Sequence, residues 1–365
     1  MRIGVLTSSR ADYSIYFPLL KAIKSDPFFD LAIIAFGTHL YEVHGKTINQ
    51  IFQDGFEVPF QIETLVPGND PLAISKSMGK TISAFAELWD KEKFDIVFCL
   101  GDRYEMFAAC AAGVPFNVRF VHIHGGEETL GAIDDVFRHS ISLMASVHFA
   151  STEAYAKRIS ELKHGTDQIY NVGALSIDNL KNLFLFSVKE FQIKFGIDLS
   201  IPSILITFHP ETVLFEKNEE YVDILLSALN EINGYQFIIT MPNADTMGNM
   251  VREKLSAYIT DHPHAIGVES FGTIGYLSCM KYCSFLLGNT SSGFIEASFF
   301  PKYVINLGQR QKGRIVTPNI NNIEINKKEI LDAVSNFKQT IFPEYEGIYG
   351  NGKTTEKIIS ILKNL

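Results

Sequence analysis

Hydrophobic and polar positions along the chain follow two alternating patterns. Short runs rich in valine, isoleucine and phenylalanine are separated by longer stretches in which apolar residues recur with helical spacing. The eight clearest runs are Ile3–Thr7, Leu31–Phe36, Asp95–Leu100, Arg119–Ile123, Ile204–Phe208, Gln236–Thr240, Phe285–Gly288 and Tyr303–Leu307. Continuous apolar runs are typical of strands covered on both faces, so the alternation predicts parallel sheets flanked by helices.

The runs fall into two groups of four, which predicts two domains. One group precedes residues 172–173 and the other follows residues 201–202. We expect an α/β fold class with two doubly wound Rossmann-like domains facing one another across a cleft. The expected N-terminal domain covers residues 1–175 and the expected C-terminal domain covers residues 176–351. A short amphipathic segment within residues 352–365 is expected to pack back on the first domain.

Composition excludes several classes of protein. The chain has 365 residues, of which 46% are hydrophobic and 20% charged, as in ordinary folded proteins. A net charge of −9, from 32 basic and 41 acidic side chains, disfavours nucleic acid as a partner. The sequence offers neither the apolar segment of a signal peptide nor an uninterrupted membrane-spanning run. We therefore expect a cytoplasmic protein with no membrane partner.

The four cysteines are predicted to be reduced core thiols. Cys99, Cys110, Cys279 and Cys283 all lie in apolar segments. The only close pair, Cys279 and Cys283, has no second pair with which to complete a zinc tetrahedron.

Polar residues cluster where the predicted strands end. In parallel sheets, backbone N–H groups and helix dipoles converge at the carboxyl ends of strands, and anions bind there. Four clusters occupy such positions: Thr7–Arg10, Gly101–Arg103, His122–Glu127 and Gly288–Gly293. These clusters are the candidate functional segments.

The last cluster favours a diphosphate site. GNTSSGFIEA combines two glycines with the hydroxyls of Thr290, Ser291 and Ser292, and Glu296 follows as a candidate ribose acceptor. The segment LGQRQKGR adds Arg310, Lys312 and Arg314 after the next strand, which indicates a focused anion site. A well-capped helix and a solvated run of charges are the structural alternatives.

The other clusters favour proton transfer. Asp102 directly follows a buried strand, where loss of solvation favours a raised carboxyl pKa. His124 and Glu127 surround paired glycines, and His209 ends a strand before a proline. An Asx turn or a helix N-cap is the structural alternative for Asp102, and a packed or capping histidine is the structural alternative for His209.

The helix that follows the glycine pair carries Asp134 and Arg138, which are four residues apart and share a face, and a surface ion pair is the structural alternative for these two residues. The H-x-H pair of His122 and His124 is a weak metal signal, because side chains i and i+2 agree in direction only while the strand stays extended. We expect no metal site. The sequence also lacks a Walker motif, a G-x-S-x-G elbow and a G-x-G-x-x-G fingerprint.

Taken together and in order, six segments closely resemble the hydrolysing UDP-N-acetylglucosamine 2-epimerases of sialic and legionaminic acid biosynthesis. The segments are RADYS, LGDRYE, HIHGGEETLGAIDDVFRHS, TFHPET, GNTSSG-x-IE and INLGQRQKGR. The resemblance as a whole extends over most of the chain, from Arg2 to about Arg314. The resemblance implies a fold like the GT-B glycosyltransferases, no cofactor, a UDP-sugar substrate and a homodimer or homotetramer.

The resemblance also implies roles for individual residues. Thr290, Ser291 and Ser292 would bind phosphate, Glu296 the ribose, Arg310 and Arg10 the diphosphate charge, and Ser14 and Arg103 further parts of the UDP-sugar. Asp102, His124, Glu127, Asp134 and His209 match the positions of catalytic groups, with Arg138 orienting a carboxylate. Some relatives carry glutamate where this chain has His124, which leaves the identity of the first base open.

The implied reaction converts UDP-N-acetylglucosamine and water into N-acetylmannosamine and UDP, by elimination to a glycal and hydration of that glycal. A related alternative takes UDP-N,N'-diacetylbacillosamine. Three others remain: a non-hydrolysing epimerase, a retaining GT-B glycosyltransferase and a catalytically inactive nucleotide-sugar-binding protein. The density of carboxylates from Glu127 to Asp135 disfavours the transferase.

Overall fold

The computed structural model describes residues 1–68, 70–213, 215–242, 248–300, 302–337 and 347–365. The chain forms two compact units. The first contains Met1–Glu127, Asp134–Asn182 and Ile348–Leu365, and the second contains Glu128–Ile133 and Leu183–Gly347. The second unit therefore includes a short segment that interrupts the first unit along the chain.

The first unit is built on a parallel sheet that has seven strands within the described residues, in the order β3-β2-β1-β4-β5-β6-β7. The strands are β1 Arg2–Thr7, β2 Asp30–Ala35, β3 Phe60–Gln61, β4 Ile96–Leu100, β5 Phe120–Ile123, β6 Val147–Ala150 and β7 Ile169–Asn171. The α-helices are α1 Arg10–Ser25, α2 Ile48–Gln53, α3 Pro71–Lys91, α4 Tyr104–Gly113, α5 Asp134–Met144, α6 Glu153–Lys163 and α7 Leu175–Asn182. Apolar side chains cover both faces of this sheet.

The second unit repeats this architecture with six parallel strands among its described residues, in the order β10-β9-β8-β11-β12-β13. The strands are β8 Ser203–Thr207, β9 Gln236–Thr240, β10 Ala265–Val268, β11 Phe285–Gly288, β12 Val304–Leu307 and β13 Ile320–Ile323. The helices are α8 Val188–Phe195, α9 Asn218–Leu229, α10 Gly248–Asp261, α11 Gly272–Tyr282, α12 Glu296–Phe299 and α13 Lys327–Asn336. The prediction of an α/β fold with two doubly wound parallel sheets is confirmed.

The final helix, α14 (Thr354–Leu362), packs within the first unit, where Ile358 and Leu362 join the core beneath α1. The buried carboxylate of Asp178, on α7, accepts hydrogen bonds from the backbone N–H groups of Thr354 and Thr355, at 3.0 and 2.6 Å. Because α7 packs on both α1 and α14, it lies in the first unit, which continues to Asn182, whereas the sequence prediction ended the N-terminal domain at residue 175.

The cysteines are free thiols in the apolar cores. Burial raises the pKa of Cys283 to about 12, and raises the pKa values of Cys110 and Cys279 as well. Buried thiols of this kind are poor nucleophiles and metal ligands at neutral pH.

Within the described residues, no helix is both long enough and apolar enough to cross a bilayer.

Candidate active site

Each sheet has one point where the strand order reverses, and the candidate residues collect there. In the first sheet the adjacent strands are β1 and β4, and in the second they are β8 and β11. Ligands of doubly wound folds bind beyond the carboxyl ends of these strands, because the loops diverge and leave a crevice.

The loop between β1 and α1 is organised by a buried carboxylate. Asp12 accepts hydrogen bonds from the backbone N–H and the hydroxyl of both Ser8 and Ser9, at 2.7 to 3.0 Å. This network caps α1, which begins at Arg10. Arg10 and Ser14, both predicted ligand contacts, are partly exposed in the first turns of this helix.

The loop after β4 carries Asp102 and Arg103. Gly101 has a φ of +73°, which turns the chain sharply as the strand ends. The side chain of Asp102 is 23% exposed and pairs with the guanidinium of Arg138. The side chain of Arg103 instead pairs with the buried carboxylate of Glu105, with an Nη2 to Oε1 distance of 2.9 Å. Arg103 is thus positioned by a carboxylate in the first turn of α4.

The loop after β5 places a histidine against a carboxylate. Nδ1 of His124 lies 2.6 Å from Oε1 of Glu127, and the hydroxyl of Ser151 donates to the same oxygen at 2.8 Å. His124 has a φ of +63°, an uncommon conformation for a residue with a side chain and one that recurs at functional sites. Both side chains are buried.

Arg138, on α5, connects the two loops. Its guanidinium, 2% exposed, donates to the carboxylate of Asp102 and, at 3.0 Å, to the backbone carbonyl of His124. Its Nη1 also lies 3.8 Å from Oε2 of Glu127. Asp134 and Arg138 lie one turn apart on α5, as their spacing predicts. The side chain of Arg138 is buried and points to two carboxylates from the loops after β4 and β5, those of Asp102 and Glu127.

The arrangement determines which ring nitrogen of His124 can transfer a proton. Glu127 is an acceptor, so the neutral ring carries its proton on Nδ1 and its lone pair on Nε2. Nε2 is buried and makes no hydrogen bond to any described residue. The carboxylate therefore orients a histidine whose second nitrogen is available as a base.

In the second unit, Asn289 holds the backbone of His209. Its side-chain Oδ1 accepts from the His209 N–H at 2.7 Å, and its Nδ2 donates to the His209 carbonyl at 2.8 Å. Gly288, the residue before Asn289, has a φ of +144°, and a Cβ added there would lie 2.0 Å from the carbonyl oxygen of Thr207. These contacts hold together the ends of β8 and β11.

The predicted diphosphate residues follow directly. Thr290 caps a single 3-10 turn, Ser291–Gly293, and its hydroxyl accepts from the Ser292 N–H at 3.4 Å. Glu296 opens the four-residue helix α12. Thr290, Ser291, Ser292 and Glu296 are all partly exposed.

The predicted cation cluster after β12 divides into different environments. Arg310 is partly exposed and Lys312 is exposed, whereas Arg314 is buried and its Nε donates to the Gln311 side chain at 2.6 Å. Gln311 in turn donates to the Asn289 carbonyl at 2.8 Å. Arg310 is therefore the stronger candidate of the two arginines for contact with an anion.

The segment Glu128–Ile133 packs on this same loop. The Leu130 N–H donates to the Lys312 carbonyl at 3.0 Å, and the Ile133 N–H donates to the Thr212 hydroxyl at 2.9 Å. Glu128 consequently belongs to the second unit, although its neighbour Glu127 belongs to the first.

Six residues that position these loops were given no individual role by the sequence analysis: Asp12, Glu105, Ser142, Ser151, Asn289 and Gln311. Ser151 and Asn289 directly follow apolar strands, and Glu105 lies within an apolar helix, so the positions of these three offer a signal. The other three offer none of this kind. Among the described residues, no cluster of three or more histidine, cysteine, aspartate or glutamate side chains has the arrangement of a metal site.

The chain is similar in sequence to proteins of known families. The sequence matches the family model described as UDP-N-acetylglucosamine 2-epimerase over residues 21–363. It is 36% identical over 326 residues to the GDP/UDP-N,N'-diacetylbacillosamine 2-epimerase (hydrolyzing) of Campylobacter jejuni, covering 89% of this chain and 85% of that protein. It is 31% identical over 365 residues to the UDP-N,N'-diacetylbacillosamine 2-epimerase (hydrolyzing) of Legionella pneumophila, covering 100% and 96%.

The same architecture occurs in the UDP-GlcNAc 2-epimerase of Methanocaldococcus jannaschii, solved in complex with UDP-GlcNAc and UDP. The TM-score is 0.85 at 17% identity, and the match covers 100% of both chains. This likeness shows the fold.

Proposed function

Because the chain belongs to the UDP-N-acetylglucosamine 2-epimerase family, we propose that it is a hydrolysing 2-epimerase, which converts a UDP-2-acetamido sugar and water into the free 2-epimer and UDP. Family membership confirms the resemblance drawn from the sequence motifs. The observation that carries the proposed proton transfer is the pairing of His124 with Glu127 beside the Arg138–Asp102 pair. The hydrolytic outcome is proposed from the two relatives described as hydrolyzing.

The proposed reaction has two steps. A base removes the hydrogen on carbon 2 while the bond between carbon 1 and the UDP oxygen breaks, which gives a glycal and UDP. Water then adds its oxygen to carbon 1, and carbon 2 receives a proton on the opposite face. The hydrogen on carbon 2 is scarcely acidic, so the first step needs both a positioned base and a stabilised leaving group.

We assign the first base to Nε2 of His124. Glu127 is buried and already accepts from His124 and Ser151, so its function is to orient the histidine. Asp102, paired with Arg138, supplies a carboxylate that would stabilise positive charge as it develops on the sugar ring. Asp134 and His209 remain the candidates for returning the proton to carbon 2.

We assign binding of the diphosphate to the second unit. Thr290, Ser291 and Ser292 offer hydroxyl and N–H groups at the end of β11, and Arg310 offers a cation. Glu296 would accept from the ribose hydroxyls. Arg10, Ser14 and Arg103 would bind further parts of the UDP-sugar.

Two sugars are candidates. Both relatives described above act on N,N'-diacetylbacillosamine nucleotides, which favours UDP-N,N'-diacetylbacillosamine as the substrate. The family model favours UDP-N-acetylglucosamine, the substrate placed first by the sequence analysis. The two differ at carbons 4 and 6 of the sugar, so relative kcat/KM distinguishes them.

The test is turnover of each UDP-sugar by the purified protein in deuterated water, followed by proton NMR. The proposal expects a free sugar, inverted and deuterated at carbon 2, in equal amount to UDP. An inverted sugar still attached to UDP would show the non-hydrolysing activity, and turnover only with an added acceptor would show a transferase.

The base assignment has its own test. His124→Gln should lower kcat by at least about 100-fold, because general base catalysis contributes about 10²- to 10⁴-fold, and UDP binding should stay unchanged. The matched control is His264→Gln, which alters an exposed histidine of the second unit. Normal turnover by His124→Gln would move the first base to another residue.

A further inference from the structure

His122 is a buried histidine that the proposed reaction does not use. It lies on β5 with a side chain that is 0% exposed. Its Nε2 is 2.9 Å from the carbonyl oxygen of Gly101, and its Nδ1 is 3.0 Å from the hydroxyl of Ser142. It therefore connects the loop after β4 with helix α5.

The two contacts define a single hydrogen-bonding direction. A carbonyl oxygen only accepts, so Nε2 carries the proton and donates to Gly101. Nδ1 of the neutral ring then accepts from the Ser142 hydroxyl. Burial lowers the pKa of His122 to about 3, so the ring is neutral at physiological pH and this arrangement persists.

The carbonyl that His122 holds belongs to the residue before Asp102. Gly101 has a positive φ, and the peptide that links it to Asp102 sets the direction in which the carboxylate leaves the strand. Ser142 lies one helical turn from Arg138 on α5, and both side chains are buried. One face of α5 thus makes two connections to the loop after β4. Arg138 binds the carboxylate of Asp102, and Ser142 binds His122, which holds the carbonyl of Gly101.

We propose that His122 and Ser142 form a positioning pair, which fixes the Gly101–Asp102 peptide and so places the Asp102 carboxylate for the reaction. This inference rests on the proposed function. It predicts that loss of the pair slows the chemical step without removing a group that contacts the substrate. A displacement of about 1 Å at a catalytic group can cost about 100-fold in rate, so the expected loss of kcat is about 10- to 100-fold.

The experiment compares variants of two adjacent buried histidines. His122→Leu removes the donor, whereas His122→Gln keeps an N–H donor of similar reach. The matched control is His148→Leu, since His148 is equally buried and pairs in register with His122, but lies on β6, one strand further from β4. Ser142→Ala removes only the hydroxyl and tests the pair with a milder change.

For each variant, kcat, KM, the UDP dissociation constant and the thermal midpoint are measured. We expect His122→Leu and Ser142→Ala to lower kcat with KM and UDP binding changed less than about twofold. The kcat of His122→Gln should be at least about tenfold higher than that of His122→Leu. His148→Leu should lower the thermal midpoint and keep the kcat of the wild-type protein.

Equal kcat losses in His122→Leu and His148→Leu would overturn the inference, because the effect would then follow burial alone. The inference would also be overturned if the two single variants Ser142→Ala and His122→Leu both kept the kcat of the wild-type protein. If His122→Leu does not fold, the comparison of Ser142→Ala with wild type decides. Failure of the proposed function is distinct, since wild-type protein would then turn over no UDP-sugar.

Discussion

Replacing Arg138 by lysine tests the proposed site while keeping its charge. The guanidinium makes contacts in three directions: to the Asp102 carboxylate, to the His124 carbonyl and towards the Glu127 carboxylate. A lysine ammonium is a single point of charge on a flexible chain and cannot reproduce a planar fork. Arg138→Lys should therefore lose at least one charge-assisted bond.

The expected loss follows from these contacts. A hydrogen bond to a charged group contributes about 1.5–3 kcal/mol, which corresponds to about 10- to 150-fold in rate if the bond is needed in the transition state. Because the buried positive charge is kept, the two carboxylates are not left without a counter-charge, and the protein should still fold. UDP binding should change little.

The assay is steady-state turnover of the preferred UDP-sugar, with UDP affinity measured by calorimetry. Arg252→Lys is the control, because Arg252 also bonds a carboxylate and a carbonyl but lies in the second unit near the surface. A kcat for Arg138→Lys within about twofold of wild type would refute the view that the fork aligns the two loops.

Three further predictions concern other parts of the molecule. Asn289→Asp replaces the amide donor to the His209 carbonyl with an oxygen, so kcat should fall about tenfold or more, as measured by the same turnover assay; unchanged kcat would argue against a role for the His209 backbone. Gly288→Ala should lower the thermal midpoint in calorimetry by several degrees, since a Cβ would overlap the Thr207 carbonyl, and an unaltered midpoint would contradict this. Burial lowers the pKa of His148 to about 4, against about 6.5 in unfolded chains, so below pH 6.5 the unfolded state binds more protons and stability falls as the pH drops towards 4, by up to about 1.4 kcal/mol per pH unit. His148→Leu should flatten the decline in unfolding free energy between pH 6.5 and 4.5 in urea titrations, and a slope equal to that of wild type would contradict the assignment.

The eight apolar runs all correspond to strands, and the sequence analysis missed five further strands among the described residues. β10 and β13 lie at the edges of their sheet and are only partly buried, so they lack a continuous apolar run. β3 has two residues and β7 has three. β6 is interior, and its sequence VHFA differs little from the FVHI of β5, so the apolar pattern gives no reason for its omission.

The strand-exit rule located the polar clusters but did not predict which side chains pair. Arg138 lies one helical turn from Asp134, and local spacing favours a pair on the helix surface. The structure instead buries Arg138 against Asp102, which is 36 residues away in the sequence. Long-range pairing depends on the strand order, which hydrophobic periodicity does not encode.

Buried polar side chains that bond to the main chain organise the loops in both units. Asp12 holds the loop after β1, His122 the carbonyl of Gly101, and Asn289 the backbone of His209. Each is a buried polar side chain that bonds to main chain, and leaving such a group without a partner costs about 1–3 kcal/mol. Each anchor therefore disfavours other conformations of its loop, since those conformations would break its bonds. A parallel sheet brings strand ends together, but these buried anchors determine where the side chains after the strands point.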